Sequence, residues 1–214
     1  MAKDSLLILS GGMDSTTMLH EFKNSIGLAV NFNYGALQNA REAQCARKQC
    51  AMLGIELIEI DLAFMGRYFD SALLRSAEDV PEGSYADANM SSTVVPFRNG
   101  IMLAIAAGLA ESRGLKKVMM ANHGGDHAVY PDCRPGFVDA MNAAIKAGTY
   151  AGIELWAPYT GLTKADIARR GKEFGVDYSL TYSCYKGGEK HCGKCATCIE
   201  RHQALYAAGI SADD

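Results

Sequence analysis

The chain carries little net charge: 21 Lys and Arg against 24 Asp and Glu leave a formal −3 over 214 residues. So shallow a balance gives no basic field able to hold a nucleic-acid backbone. Charged tracts are scarce as well, and Lys116-Lys117 and Asp213-Asp214 read as solvated ends. The longest apolar run, Ile101 to Ala110, falls short of the about 20 residues that a membrane helix needs. No signal peptide, internal repeat or low-complexity tract is visible. These absences set the expectation of a cytoplasmic chain with neither a membrane nor a nucleic-acid partner. In that setting an odd count of 7 cysteines argues against a disulfide framework. What is present, 49% hydrophobic residues, is ample for the core of one α/β domain with an appendage.

The informative stretch is Ser10-Gly11-Gly12-Met13-Asp14-Ser15. Leu6 to Leu9 before it is an apolar run of strand length, and Thr16 to Phe22 after it has a helical apolar face. A strand, a glycine turn and a helix N-terminus converge backbone N–H groups on an anion. Gly11 and Gly12 let backbone approach phosphate oxygens, Ser10 and Ser15 add donors, and Asp14 can hold a Mg²⁺. The Gly-Lys-Ser/Thr of a Walker A loop is missing, and so is the third glycine of a dinucleotide fingerprint. The motif resembles the PP-loop of the ATP pyrophosphatase superfamily.

Downstream, Leu28–Phe32 reads as a strand, residues 37–53 as a helix closed by Gly54, and Ile55–Ile60 as a third strand. This β-α-β-α-β order implies a parallel, Rossmann-like sheet flanked by helices, with ligands at the strands' carboxyl ends. Residues 61–93 read as a long loop and candidate lid. A helix over 100–113 is apolar nearly all round and is expected to be buried. A strand at Lys117–Ala121 leads into a polar segment, Asn122 to Arg134, then a helix over 136–147 and a short strand at Glu154–Pro158. Thr163 and Asp166 form a capping box opening another helix. A short helix over 199–207 closes the chain. The division expected is a nucleotide-binding α/β domain over 1–178 and a C-terminal cysteine segment over 179–214.

Cys184, Cys192, Cys195 and Cys198 lie within fifteen residues. Four thiolates make a closed tetrahedral set, which is the structural zinc pattern. An iron–sulfur cluster is the rival, but no Pro follows the last cysteine and nothing else suggests electron transfer. The expectation is one structural Zn²⁺ per chain.

Taken together, Ser10-Gly-Gly-Met-Asp-Ser-Thr-Thr17, Tyr34-Gly35, Val95-Pro-Phe-Arg-Asn99, Asp126-x-x-x-Tyr130-Pro-Asp-Cys-Arg134, Ser183-Cys-Tyr185, Cys192-Gly-Lys-Cys-Ala-Thr-Cys198 and Arg201 span nearly the whole chain. In that order they resemble the 7-cyano-7-deazaguanine synthase family of the queuosine pathway. Two positions depart from the family's pattern: Ala36 stands where Gln follows Tyr-Gly, and Phe97 where Gly precedes Arg-Asn.

The resemblance implies an ATP-dependent ligase that joins ammonia to a 7-carboxy-7-deazaguanine and ends at a nitrile. It implies that Ser10, Gly11, Gly12, Met13, Asp14, Ser15, Thr16 and Thr17 cradle ATP-Mg²⁺. Asp14, Ser15, Arg98 and Lys164 are the expected catalytic groups, the last two as cations for the leaving phosphates. Asp126, Tyr130, Asp132 and Arg134 are expected at the base and its carboxylate, which a guanidinium matches as a fork. Cys133 reads as a buried small residue, because adenylate chemistry needs no nucleophile. The competing readings are a tRNA-thiolating PP-loop enzyme, which calls for a basic RNA face, a zinc module that binds nucleic acid or protein, and a paralogue conjugating a deazaguanine to a macromolecule. A homodimer is compatible with the apolar surfaces.

Overall fold

The computed structural model describes residues 3–85 and 87–211. The terminal Asp213 and Asp214, named above, lie outside them.

Strand β1 (Ser5–Ile8) runs through the centre of the core. Leu6 and Ile8 face one apolar layer, while Leu7 and Leu9 face the other. That period of two, apolar on both sides, is what a strand covered on both faces requires. After β1 come α1 (Met13–Glu21), β2 (Ile26–Asn33), α2 (Asn39–Leu53) and β3 (Glu56–Asp61). A one-turn helix α3 (Met65–Tyr68) opens the long connection to α4 (Arg98–Ser112), β4 (Lys117–Met119), α5 (Pro135–Gly148), β5 (Glu154–Trp156), α6 (Lys164–Glu173) and α7 (Ala196–Ala207). The five strands pair in parallel in the order β3-β2-β1-β4-β5. From β1 the sheet therefore grows in both directions, and the crevice between the carboxyl ends of β1 and β4 is a topological switch point. The expected parallel α/β architecture is the one observed.

The two faces of the sheet are covered differently. Helices α1, α2 and α6 supply Met18, Leu19, Ala46, Cys50 and Ile167 to one layer, and α4 supplies Leu103, Ala106, Ala107 and Ala110 to the other. Helix α4 is not buried all round: Ala104 and Gly108 are exposed, while Leu103, Ala106 and Ala110 are buried. The sheet takes one face, and small residues occupy the outward one. By length and composition the helical stretch Asn89–Ser112 could cross a membrane; here α4 packs on β1 and β4.

Two glycine and turn expectations are met where geometry demands them. Gly54 closes α2 in the left-handed region at φ 62°. Thr163 and Asp166 make the reciprocal capping box of α6. Phe97 is a surprise: it is the non-glycine residue, among those described, that adopts positive φ, at 53°. That conformation costs about 1–2 kcal/mol for a residue with a Cβ. Here the phenyl ring packs edge-on against Phe137, with centroids 5.9 Å apart, which offsets part of the strain.

The connection over 61–93 is not a bare loop. It carries short 3₁₀ turns at Ala72–Leu74 and Ala88–Thr93 and buries Leu73, Val80 and Met90. It docks on the cysteine segment: Gly83 donates its N–H to the Lys194 carbonyl at 3.0 Å, and Lys186 pairs with Glu82 at 2.8 Å. The final helix α7 joins Met13, Ala168 and Tyr178 in a third apolar cluster through Ala204 and Leu205.

Candidate active site

The phosphate loop follows β1 and enters α1 at Met13. Gly11 sits at φ 96°, and a Cβ there would collide with the Glu42 carbonyl oxygen of α2. Only glycine permits the loop to lie so close to α2. The hydroxyls of Ser10 and Ser15 are 3.0 Å apart, and the Gly12 N–H donates to Ser10 Oγ at 3.1 Å. Asn31 of β2 donates to the Leu9 and Ser10 carbonyls at 2.8 and 3.1 Å, fixing the loop's entry.

This loop forms one wall of a cavity of about 210 Å³ at the switch point. Ser10, Gly12, Met13, Asp14 and Ser15 line it; Gly11, Thr16 and Thr17 do not. Thr17 instead packs inward, donating to the Met13 carbonyl at 2.9 Å and meeting Tyr178 Oη at 2.7 Å. Thr16 is fully buried with an unpartnered hydroxyl.

Lys164, at the first position of α6, is delivered to Asp14. Its Nζ lies 3.0 Å from Asp14 Oδ2 and 3.1 Å from Glu200 Oε2, and its side chain is only 11% exposed. Burial opposes its charge, but Asp14, Glu200 and Asp126 outweigh burial and hold the ammonium above its ordinary pKa. Lys164 is therefore a fixed cation beside the phosphate loop. His123, 1% exposed, accepts the Gly125 N–H on Nδ1. Its Nε2 lies 3.4 Å from Lys164 Nζ, 3.6 Å from Asp126 Oδ1 and 3.9 Å from Asp14 Oδ2. Asp14 Oδ1 is buried without a partner, as suits a carboxylate that awaits a cation.

Arg98, at the start of α4, also lines the cavity. Its guanidinium donates to Tyr34 Oη at 3.2 Å and sits 5.2 Å from that ring's centroid. Burial works against its charge, and Tyr34 and Asp132 more than restore it. Of the residues expected at the base, Asp126 lines the cavity, whereas Tyr130, Asp132 and Arg134 do not. Asp132 is buried and accepts the Asn99 N–H at 2.9 Å. Tyr130 meets Tyr185 at 2.9 Å and Thr93 at 2.9 Å. Arg134 is exposed and donates to the His127 carbonyl at 2.9 Å, away from the cavity. Cys133 lines the cavity as a buried thiol, pushed up by burial and receiving a hydrogen bond from Asn99 Nδ2. It is a poor nucleophile there.

Sequence reasoning missed Gln38, Glu42 and Tyr85, which line the cavity, and Glu200, which meets Lys164. Gln38 and Glu42 carry one weak signal, their spacing of four, which puts them on one face. Glu200 follows Cys198 by two, and only the fold brings α7 to Lys164.

The sulfurs of Cys184, Cys192, Cys195 and Cys198 all lie within 4.8 Å of one another. Cys198 Sγ is 3.4 Å from Cys195 Sγ and 3.9 Å from Cys192 Sγ, with no disulfide among them. Four sulfurs at about 2.3 Å around a tetrahedral ion stand about 3.8 Å apart, so the set fits a metal. The Cys195 and Lys194 N–H groups point at Cys192 Sγ from 3.3 and 3.4 Å, the polarity that a thiolate needs. His191 is not part of the set: its Nε2 accepts the Ser183 N–H at 3.0 Å. Beyond the ligands, α7 plants Arg201, 0% exposed, which donates to Thr181 Oγ1 and the Tyr178 carbonyl at 2.8 and 2.7 Å.

The parallel order, the Ser-Gly-Gly-x-Asp-Ser loop at its switch point and the paired Lys164 and Asp14 define a PP-loop-type α/β fold. A solved structure titled NMN synthetase from Francisella tularensis shares this fold, with a TM-score of 0.54, 13% identity, and coverage of 99% of this chain and 79% of that one. The profile of the family described as "Queuosine biosynthesis protein QueC" matches residues 4–209, and the chain belongs to that family. Among curated relatives, the 7-cyano-7-deazaguanine synthase of Porphyromonas gingivalis is 58% identical over 208 residues, 97% of this chain and 94% of that protein. Those of Caldicellulosiruptor bescii and Methanoregula boonei are 47% and 45% identical, covering 96% and 97% of this chain and 94% and 96% of theirs.

Proposed function

We propose that the chain converts 7-carboxy-7-deazaguanine and ammonia to 7-cyano-7-deazaguanine with ATP, as a carbon–nitrogen ligase of queuosine biosynthesis. One observation carries this reading. In a chain 58% identical to a 7-cyano-7-deazaguanine synthase, the phosphate loop, Lys164 and Arg98 open onto a single cavity. Hydroxide and oxide are poor leaving groups, so ammonia cannot displace them from a carboxylate. ATP first converts that oxygen to an acyl phosphate ester, and we read it as an adenylate. Ammonia then gives an amide. Activation of the amide oxygen and loss of the nitrogen's protons gives the nitrile. Both halves set an oxygen against the same phosphate, so one cavity serves both.

The protein's part is positioning and charge neutralisation. Asp14 would hold a Mg²⁺ that neutralises the phosphates. Lys164 stays protonated and stabilises the leaving phosphates, and Arg98 supports them from the start of α4. Asp126 is assigned to the deazaguanine's N–H edge. Asp132 acts behind it by fixing Asn99, Tyr130 through Tyr185, and Arg134 by bracing the turn at His127. The four cysteines would hold one Zn²⁺. A closed sulfur set leaves no open position, so this ion takes no part in the chemistry. We place the reaction in the cytoplasm, where ATP is held.

Incubation of the purified chain with ATP, Mg²⁺, ammonium and 7-carboxy-7-deazaguanine tests the reading by mass spectrometry of the base. The nitrile is expected. Recovery of the unchanged carboxylate would contradict it.

A further inference from the structure

The mechanism above leaves one group of the cavity wall unused, on the face of α2 turned to the phosphate loop. Gln38 and Glu42 lie four residues apart, and both line the cavity. Gln38 is 2% exposed, and its Oε1 has no hydrogen-bond partner. Its Nε2 donates to Tyr34 Oη at 3.1 Å, which leaves the acceptor as the free end. Glu42 Oε1 lies 3.9 Å from where a Cβ of Gly12 would stand, so its carboxylate borders the phosphate loop. A carboxylate beside a triphosphate is repelled by it unless it holds a cation or a proton.

We propose that Gln38 and Glu42 form the binding site of the nitrogen donor as ammonium, and that Glu42 is the general base that removes its protons. This rests on the function proposed above. Near neutral pH ammonia is almost wholly ammonium, which has no lone pair for attack. An acceptor pair beside the activated carboxyl both concentrates the cation and unmasks it.

In the first half the C–N bond forms, and the C–O bond to the nucleotide phosphate breaks, with the phosphate taking the electron pair. The nitrogen enters as NH₄⁺ and ends as NH₂. One proton passes to Glu42 before attack, and the second follows once Glu42 has passed the first to solvent. In the second half the activated C–O bond breaks again, and the nitrogen gives up its two remaining protons by the same route.

The surroundings suit a base. Burial pushes the Glu42 carboxyl up to about 7, against the opposing pull of Arg98 and a hydrogen bond from Asn39. The charged and titratable groups that face it are Arg98 from α4, Tyr34 beyond β2 and Cys45 one turn along α2. Tyr182 of the cysteine segment lines the same cavity.

The test compares nucleophiles. Hydroxylamine is largely neutral at pH 7 and needs no deprotonation before attack. Glu42→Gln is expected to slow ammonium-dependent amide and nitrile formation about 10²-fold or more, and to slow hydroxamate formation from the carboxylate, ATP and hydroxylamine at least about tenfold less, since hydroxylamine skips the deprotonation before attack. Gln38→Met should raise KM for ammonium and leave KM for ATP unchanged. Equal loss with both nucleophiles, or undiminished ammonium turnover, overturns the proposal. If the native enzyme itself yields neither nitrile nor hydroxamate, it is the functional reading that falls, and this proposal with it.

Discussion

Asp14 stands at the join between the phosphate loop and the fixed cation Lys164, 3.0 Å away. Asp14→Ala should abolish nitrile formation while the metal content of the purified chain is unchanged, because the four cysteines lie apart from the phosphate loop. Loss of metal together with activity would contradict that separation. Glu42 makes a second prediction, in stability. Burial pushes its carboxyl up to about 7, above the ordinary carboxylate range, so the native state favours the protonated form. The stabilisation is complete below the unfolded value and is lost as pH rises through about 7. Glu42→Gln should therefore match the native chain near pH 5 and exceed it by about 1–3 kcal/mol at pH 8 in urea unfolding. Gly11→Ala should destabilise the chain by about 2 kcal/mol or more, since a Cβ there strikes helix α2 at a left-handed φ. Single residues were legible where they sit in one contiguous motif, as Ser10 to Ser15 do. Arg134 shows the opposite case. Its chemistry suits a carboxylate, but its side chain turns outward to the His127 carbonyl, and nothing local in the sequence encodes that direction. His123 and Glu200 meet Lys164 only through tertiary packing.

At the scale of elements, capping places a functional group. Thr163 Oγ1 accepts the Asp166 N–H at 3.2 Å, and Asp166 Oδ2 accepts the Thr163 N–H at 3.0 Å. This box starts α6 one residue before Lys164. Thr163→Ala should cost about 1 kcal/mol in denaturant unfolding and should raise KM for ATP, because the turn bearing Lys164 frays. A tyrosine chain does comparable work around the cavity mouth. Tyr185 Oη lies 2.8 Å from Tyr85 Oη and 2.9 Å from Tyr130 Oη, which ties the 61–93 connection and the turn after β4 to the cysteine segment. Tyr185→Phe removes both bonds and should lower stability by about 1–3 kcal/mol. The helices and strands were legible from periodicity and from glycine stops such as Gly54. The order within residues 61–93 was not, because its contacts are to Lys194, Lys186 and Tyr185, far along the chain. The full burial expected of α4 failed for a related reason. Composition reports how apolar a helix is, but not how many of its faces find a partner.

For the molecule as a whole, the cysteine segment is proposed as a clamp rather than a second reactive centre. Cys195 and Cys198 lie at the start of α7, whose next residues set Glu200 on Lys164 and Arg201 on Thr181. Elemental analysis should return one zinc per chain; iron with acid-labile sulfide would contradict this. Removing the metal with a chelator should release the start of α7. A loss of about 3 kcal/mol would lower Tm by about 6–12 °C. Turnover should fall with it, through displacement of Glu200 and Lys164.

A single cavity, with Lys164 as its fixed cation, is proposed to activate first the carboxylate and then the amide. The most direct measurement supplies the deazaguanine amide with ATP and Mg²⁺, without ammonium, to the native chain and to Lys164→Met. Conversion of carboxylate to amide is followed in parallel. The native chain should turn the amide into the nitrile, and Lys164→Met should lose both conversions to the same extent. Loss of one conversion with the other intact would show that two sites do the work, and would contradict the account.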